Sequence, residues 1–173
     1  MKTLGIEQTK EMLVFVADRI IENTALLTAV DNKIGDGDHG IGMSGGMLKA
    51  KEALLQQKNF ASVNDLFILF GKTMMMSMGG ASGIIFGTMF SGGAKKCLPT
   101  QELDRTVFCT MMRASLDAVK QRGKAEIGDK TMVDLSLIHI CRPYALFPEC
   151  GGYFSAEPCR AGTGGCFHRL CPG

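Results

Sequence analysis

A chain of 173 residues with 46% hydrophobic and 21% charged side chains is long enough to bury one sizeable core, and nothing in that balance demands a second. A formal net charge of +2 gives no electrostatic case for a nucleic-acid partner or an anionic membrane surface. The longest apolar runs, such as Leu66 to Phe70, fall far short of the roughly 20 residues that a membrane span needs. The N-terminus has no secretory apolar stretch, so a cytoplasmic protein is expected.

From about Thr9 to Thr28 the residues Met12, Leu13, Phe15, Val16, Ile20, Ile21, Leu26 and Leu27 recur at three- and four-residue steps, predicting one amphipathic helix. That helix delivers the chain to Asp31-Asn-Lys-Ile-Gly-Asp-Gly-Asp-His-Gly-Ile-Gly-Met43. Asp31, Asp36 and Asp38 lie close in sequence, and folding them together without a counter-charge forces like charges against one another. A hard dication removes that conflict. Mg²⁺ takes oxygen ligands and shares them between carboxylates and substrate phosphates, which suits this cluster better than zinc does. Gly35, Gly37 and Gly40 let the backbone turn tightly and approach a ligand. The same composition also describes a solvated acidic turn. An EF-hand is excluded by spacing, because counting from Asp31 puts Lys33 at a ligand position and counting from Asp36 puts Ile41 at the glycine position.

Met43, Met47, Leu48, Leu54 and Leu55 predict a second helix, and Ser62 with Asp65 has the spacing of a capping box opening a third through Leu66, Phe67, Leu69, Phe70, Met74, Met75 and Met78. Its methionines read as adaptable core filler. Gly79-Gly-Ala-Ser-Gly83 then turns sharply into a fourth helix carrying Ile84, Ile85, Phe86, Met89 and Phe90. Unpaired N–H groups at that helix start favour an anion, and the small residues admit a phosphate. The competing reading is a tight packing turn with Ser82 as N-cap. Thr100 is expected to cap a fifth helix through Leu103, Val107, Met111, Leu116 and Val119, with Gly123 as its left-handed terminator. Gly128-Asp-Lys-Thr-Met132 would open a sixth. With no strand pattern in view, the class is all-α, an antiparallel helical bundle or barrel.

Three motifs in order, Ile34-Gly-Asp-Gly-Asp-His-Gly40, Gly79-Gly-Ala-Ser-Gly83 and Arg122-Gly-Lys-Ala-Glu-Ile-Gly-Asp-Lys-Thr-Met132, resemble the nucleotide-binding L subunits of dihydroxyacetone (glycerone) kinases, the DAK2 or DhaL type. The resemblance spans about residues 7 to 136. It implies a barrel of eight antiparallel helices with ADP or ATP held at one end through two Mg²⁺ ions. By that resemblance Asp31, Asp36 and Asp38 are the Mg²⁺ ligands. His39, Gly40, Ile41 and Gly42 approach the phosphates, Ala81 and Ser82 bind phosphate, and Gly123 and Met132 border the adenine. The chemistry implied is phosphoryl transfer by positioning and charge neutralisation. His39 is then a hydrogen-bond donor or a structural part of the loop rather than a base. The implied partners are a dihydroxyacetone-binding K subunit and, by analogy with separate L-type chains, a phosphotransferase-type phosphocarrier M subunit, with ATP as the other phosphoryl source.

Two departures stand out. Ile41 occupies the place of an asparagine usual in the family. Residues 137–173 also differ in kind from what precedes them, holding Cys141, Cys150, Cys159, Cys166, Cys171 and four of the five prolines. They lack the further amphipathic helices, the arginine and the Asp-Pro-Gly segment that the resemblance implies. A domain at 1–136, C-terminally incomplete, followed by a frameshifted or chimeric and poorly ordered tail is therefore expected. Cys159, Cys166, His168 and Cys171 offer zinc-type donors but no Cys-x-x-Cys pair, and a cytosolic setting disfavours disulfides. The functional expectation is a Mg-nucleotide-binding kinase subunit, with a non-catalytic remnant or a regulatory nucleotide-binding module as the alternative.

Overall fold

The computed structural model describes residues 3–33, 35–124 and 129. Six helices carry these residues: α1 (Ile6–Glu22), α2 (Thr24–Asp31), α3 (His39–Gln56), α4 (Val63–Ser77), α5 (Gly80–Lys96) and α6 (Arg105–Gly123). Two short strands, β1 (Leu4–Gly5) and β2 (Glu102–Leu103), pair antiparallel with Leu4 opposite Leu103. No strand was expected from the sequence, because a two-residue ladder is too short to show an alternating period.

The predicted first helix is two. Asn23 Nδ2 donates to Arg19 O (2.7 Å) and Thr24 Oγ1 donates to Ile21 O (2.6 Å). Both side chains occupy carbonyls that the helix would otherwise use, so α1 stops at Glu22 and α2 restarts at Thr24. The apolar period runs through this break and hides it. At its other end α1 begins before Thr9, where the Gly5 N–H donates to Gln8 Oε1 (3.1 Å).

The helices run as antiparallel neighbours. Lys10 of α1 reaches Gln57 O beyond the end of α3, while Asp18, further along α1, pairs with Lys51. Gly46, early in α3, lies against Met78 beyond the end of α4. In the α4–α5 hairpin Gly71 meets the backbone of Gly87 and Ser91 so closely that a Cβ at either glycine would collide with it. At the far end of the hairpin buried Asn64 donates to Ala94 O (2.9 Å) and Cys97 O (3.2 Å) and accepts from Thr100 N–H (3.1 Å), closing the last turn of α5. Gly93 sits on the Met111 backbone of α6, and its N–H donates to Ser115 Oγ (2.9 Å).

The core runs between α1, α3, α4 and α5, with Leu13, Leu54, Leu66, Phe67, Phe70 and Met74 almost wholly buried and Met111 joining it from α6. Phe70 and Phe90 pack as a tilted pair with centroids 4.8 Å apart. Met74 of α4 is core filler as expected and Met78, just beyond the helix, is buried, but Met75 is only half-buried and Met76 is exposed.

Capping follows the sequence at the start of α4 and departs from it at both ends of α6. Ser62 Oγ accepts from Asp65 N–H (3.2 Å) and donates to Asp65 Oδ2 (2.9 Å), as its spacing implied. At α6 the cap is Asp104, whose Oδ1 accepts from Val107 N–H (2.7 Å). Thr100 is engaged elsewhere, since its hydroxyl donates to Glu102 O (3.0 Å). The left-handed residue that ends α6 is Lys124 (φ 54°), with Gly123 the last helical residue. The sixth helix expected near Gly128 and the 137–173 tail lie outside the described residues. Among the described residues no helix is long and apolar enough to cross a membrane.

Candidate functional site

Asp31 closes α2 and is half-buried, whereas Asp36 and Asp38 stand exposed in the loop that follows. Gly35 N–H donates to Asp31 O (2.6 Å), turning the chain back on the helix end. Gly37 holds φ at +80°, and a Cβ there would collide with the Asn32 side chain, so this position needs glycine twice over. Two weak bonds draw the acids together. His39 N–H donates to Asp31 Oδ2 (3.3 Å) and Asp38 N–H donates to Asp36 Oδ1 (3.3 Å). As a result one carboxylate oxygen from each of Asp31, Asp36 and Asp38 lies within 4.8 Å of the others.

That convergence has an electrostatic consequence. The Asp36 charge, with the Asp36 hydrogen bond, slight desolvation and Asp31 adding to it, pushes the Asp38 carboxyl above its usual range, and His39 opposes the shift. Negative charge is thus concentrated at this loop. Three oxygen donors, two of them open to solvent and none of them sulfur or imidazole, fit a hard dication that retains several waters.

Next to the acids, two helix starts face one cleft. α3 begins at His39, four residues before the first apolar residue of its periodic pattern, and this brings His39–Gly42 into a helix N-terminus. Gly40 is buried against the backbone of Thr24 and Thr28, which fixes this start on α2. α5 begins at Gly80 after an extended Gly79, so Ser82 is not its N-cap. Gly80 takes φ +66°, and Gly83 packs on the Met78 carbonyl. Between the two starts lies a cleft of about 440 Å³, bounded by Asp38, His39 and Gly42 on one side and by residues 78–82 on the other. Unpaired N–H groups and the positive dipole ends of both helices favour an anion there. His39 also packs its ring against Phe86 of α5, with centroids 6.1 Å apart.

The structure therefore gathers Asp31, Asp36 and Asp38 into one cluster and brings Asp38, His39, Gly42, Ala81 and Ser82 to one cleft. Gly40 packs against Thr24 and Thr28 of α2 and does not line the cleft. Ile41 is 68% exposed and Gly123 ends α6, and neither lines the cleft. Met132 lies outside the described residues. Gly79 and Gly80, expected only as part of the small-residue turn that admits a phosphate, line the cleft, and so does Met78, to which sequence reasoning assigned no role here. The glycine pair carried a signal, since two glycines ahead of a small-residue helix start mark a backbone left open to a ligand. Met78 carried none.

Residues 33–141 match the family of the DAK2 domain. The chain is 39% identical over 132 residues to a protein of Lactococcus lactis named PTS-dependent dihydroxyacetone kinase, ADP-binding subunit DhaL, covering 76% of this chain and 66% of that protein. Its identity to the PEP-dependent dihydroxyacetone kinase, ADP-binding subunit DhaL of Escherichia coli is 38% over 135 residues, covering 77% and 63%. The chain thus spans just under two thirds of the length of these relatives. Among solved structures it is similar in fold to the dihydroxyacetone kinase of C. freundii in complex with AMP-PNP and Mg²⁺ (TM-score 0.66, 22% identity, covering 84% of this chain and 26% of that one).

Proposed function

Because the chain belongs to the DAK2 domain family, we propose that it is the Mg-nucleotide-binding component of a cytoplasmic dihydroxyacetone kinase, with residues 1–136 as its working domain. The observation that carries this reading is the adjacency of a three-carboxylate cluster to a cleft faced by two helix N-termini. A cation site beside an anion site is what a metal-bound nucleoside di- or triphosphate requires. Asp31, Asp36 and Asp38 hold the metal, two Mg²⁺ ions in the fullest form of the proposal. Mg²⁺ in that place supplies charge neutralisation to phosphate oxygens.

The rest of the work falls to the chain. N–H groups at the start of α3 and at Ala81 and Ser82 orient the phosphates of ADP or ATP, and Gly42, Gly79 and Gly80 keep the approach clear of side chains. His39 is held by its backbone bond to Asp31 and its packing on Phe86, so its ring is positioned to donate to a phosphate oxygen. No general base is assigned, because the acceptor hydroxyl belongs to dihydroxyacetone carried by a separate K subunit. The relatives named PTS- and PEP-dependent support a phosphocarrier M subunit as the phosphoryl source.

A coupled assay tests the proposal. Combined with a K subunit, dihydroxyacetone, Mg²⁺ and ADP, the chain should form dihydroxyacetone phosphate when a phosphocarrier system is supplied. Turnover with ATP alone would reassign the donor. Nucleotide binding without turnover from either donor would reduce the chain to a binding module.

A further inference from the structure

A second cleft, of about 380 Å³, lies between α5 and α6 and shares no lining residue with the first. Lys95, Lys96 and Arg122 border it, together with Gln121, Ser91 and Thr88. None of its lining residues is acidic, and among the described residues no carboxylate pairs with any of the three cations. Lys96 Nζ instead donates to the neutral Gln121 Oε1 (3.3 Å). One lining residue carries an independent anomaly. Thr88 is only 5% exposed, yet its hydroxyl has no hydrogen-bond partner among the described residues. Buried hydroxyls are nearly always satisfied, because leaving one unmade forfeits its hydration without return. Ser91, whose own hydroxyl donates to Gly87 O (2.7 Å), makes no hydrogen bond to it.

We propose that this cleft is a binding site for a small phosphate-bearing dianion, either inorganic phosphate or a phosphate monoester, with the buried Thr88 hydroxyl turning to donate to it and Lys95, Lys96 and Arg122 closing round it. Lys96 bonds only to Gln121 and Arg122 only to Met75 Sδ (3.6 Å), so three cations without a carboxylate partner among the described residues match a dianion better than a carboxylate, and the volume exceeds what a bare phosphate fills, leaving room for a short organic group. The site does not depend on the nucleotide reading. Its competitor is a local one, in which Lys95 and Lys96 only complement the C-terminal dipole of α5. That account leaves the Thr88 hydroxyl unexplained and gives no anion affinity.

The test uses the full chain by calorimetric titration with inorganic phosphate and, separately, with glycerol 3-phosphate. Mg²⁺ and a nonhydrolysable ATP analogue are present in excess to fill the first cleft. Should the analogue fail to bind, the nucleotide reading fails, while the anion titration still reports on this site. Saturable, salt-sensitive binding is expected for at least one probe, and the tighter of the two identifies the source. Thr88→Val should weaken it about tenfold, as loss of a hydrogen bond to a charged group would, and Lys95→Gln with Lys96→Gln should weaken it and flatten its salt dependence. Thr88→Val should also melt no lower than the parent, because a methyl replaces an unpartnered hydroxyl. No binding by ~10 mM, equal affinity in the variants, or a clearly lower melting temperature for Thr88→Val would overturn the site.

Discussion

Between Ser62 and Lys96 the chain is shaped by contacts that leave no room for change, whereas between Asp31 and Asp38 it is shaped by charge. In the α4–α5 hairpin glycine meets backbone at Gly71 and Gly87, and Asn64 pins the far end. In the acidic loop the backbone bonds to the carboxylates are two long ones at 3.3 Å, and Asp38 is pushed above its usual range by its neighbour Asp36. Each half supplies one side of the same cleft. On the proposed reading the hairpin fixes where a phosphate would sit, while the loop pays an electrostatic cost that a cation would remove. Changes in the hairpin should therefore alter stability first, and changes in the loop should alter ligand affinity with little effect on stability.

The largest stability effect is expected from Phe67→Ala. Phe67 of α4 is 1% exposed in the core, and its removal should cost about 3–5 kcal/mol in denaturant unfolding. A loss under about 1 kcal/mol would mean that the hairpin is not the rigid half. Gly93→Ala should cost less, about 1–3 kcal/mol, because the new Cβ meets the Met111 carbonyl and must push α5 from α6. Its melting temperature should fall while the Mg²⁺ dependence of nucleotide binding stays as it was. Smallest in stability, but sharpest on the cleft, is Ser82. Backbone approach rather than the hydroxyl is proposed to matter there, so Ser82→Leu should weaken nucleotide binding about tenfold, or ~1.4 kcal/mol, and Ser82→Ala hardly at all. Equal affinities would return this turn to a packing role.

The loop was legible in the sequence because its chemistry is local. Asp31, Asp36 and Asp38 stand within one turn-forming stretch, and the glycines around them have few other uses. The Ser62–Asp65 cap was legible for the same reason. What stayed hidden was decided at long range. Nothing near Met78 announces that it would lie against Gly46 and place two helix starts across one cleft. Thr100 and Asp104 are both good capping types, and the choice fell to Asp104 because buried Asn64, distant in sequence, fixes the Thr100 backbone. The break at Asn23 was masked by an apolar period that continues through it, since side-chain bonds to Arg19 O and Ile21 O leave no trace in hydrophobicity.

The central claim is that the acidic cluster exists to hold a metal-bound nucleotide rather than to solvate a turn. Titration calorimetry of Mg·ADP into the parent chain and into Asp36→Asn with Asp38→Asn tests it most directly, with circular dichroism on both. The account predicts that the double variant loses measurable Mg²⁺-dependent binding while its helicity is unchanged and its metal-free stability is no lower, because two repelling carboxylates are gone. Unchanged Mg·ADP affinity in the double variant would contradict it.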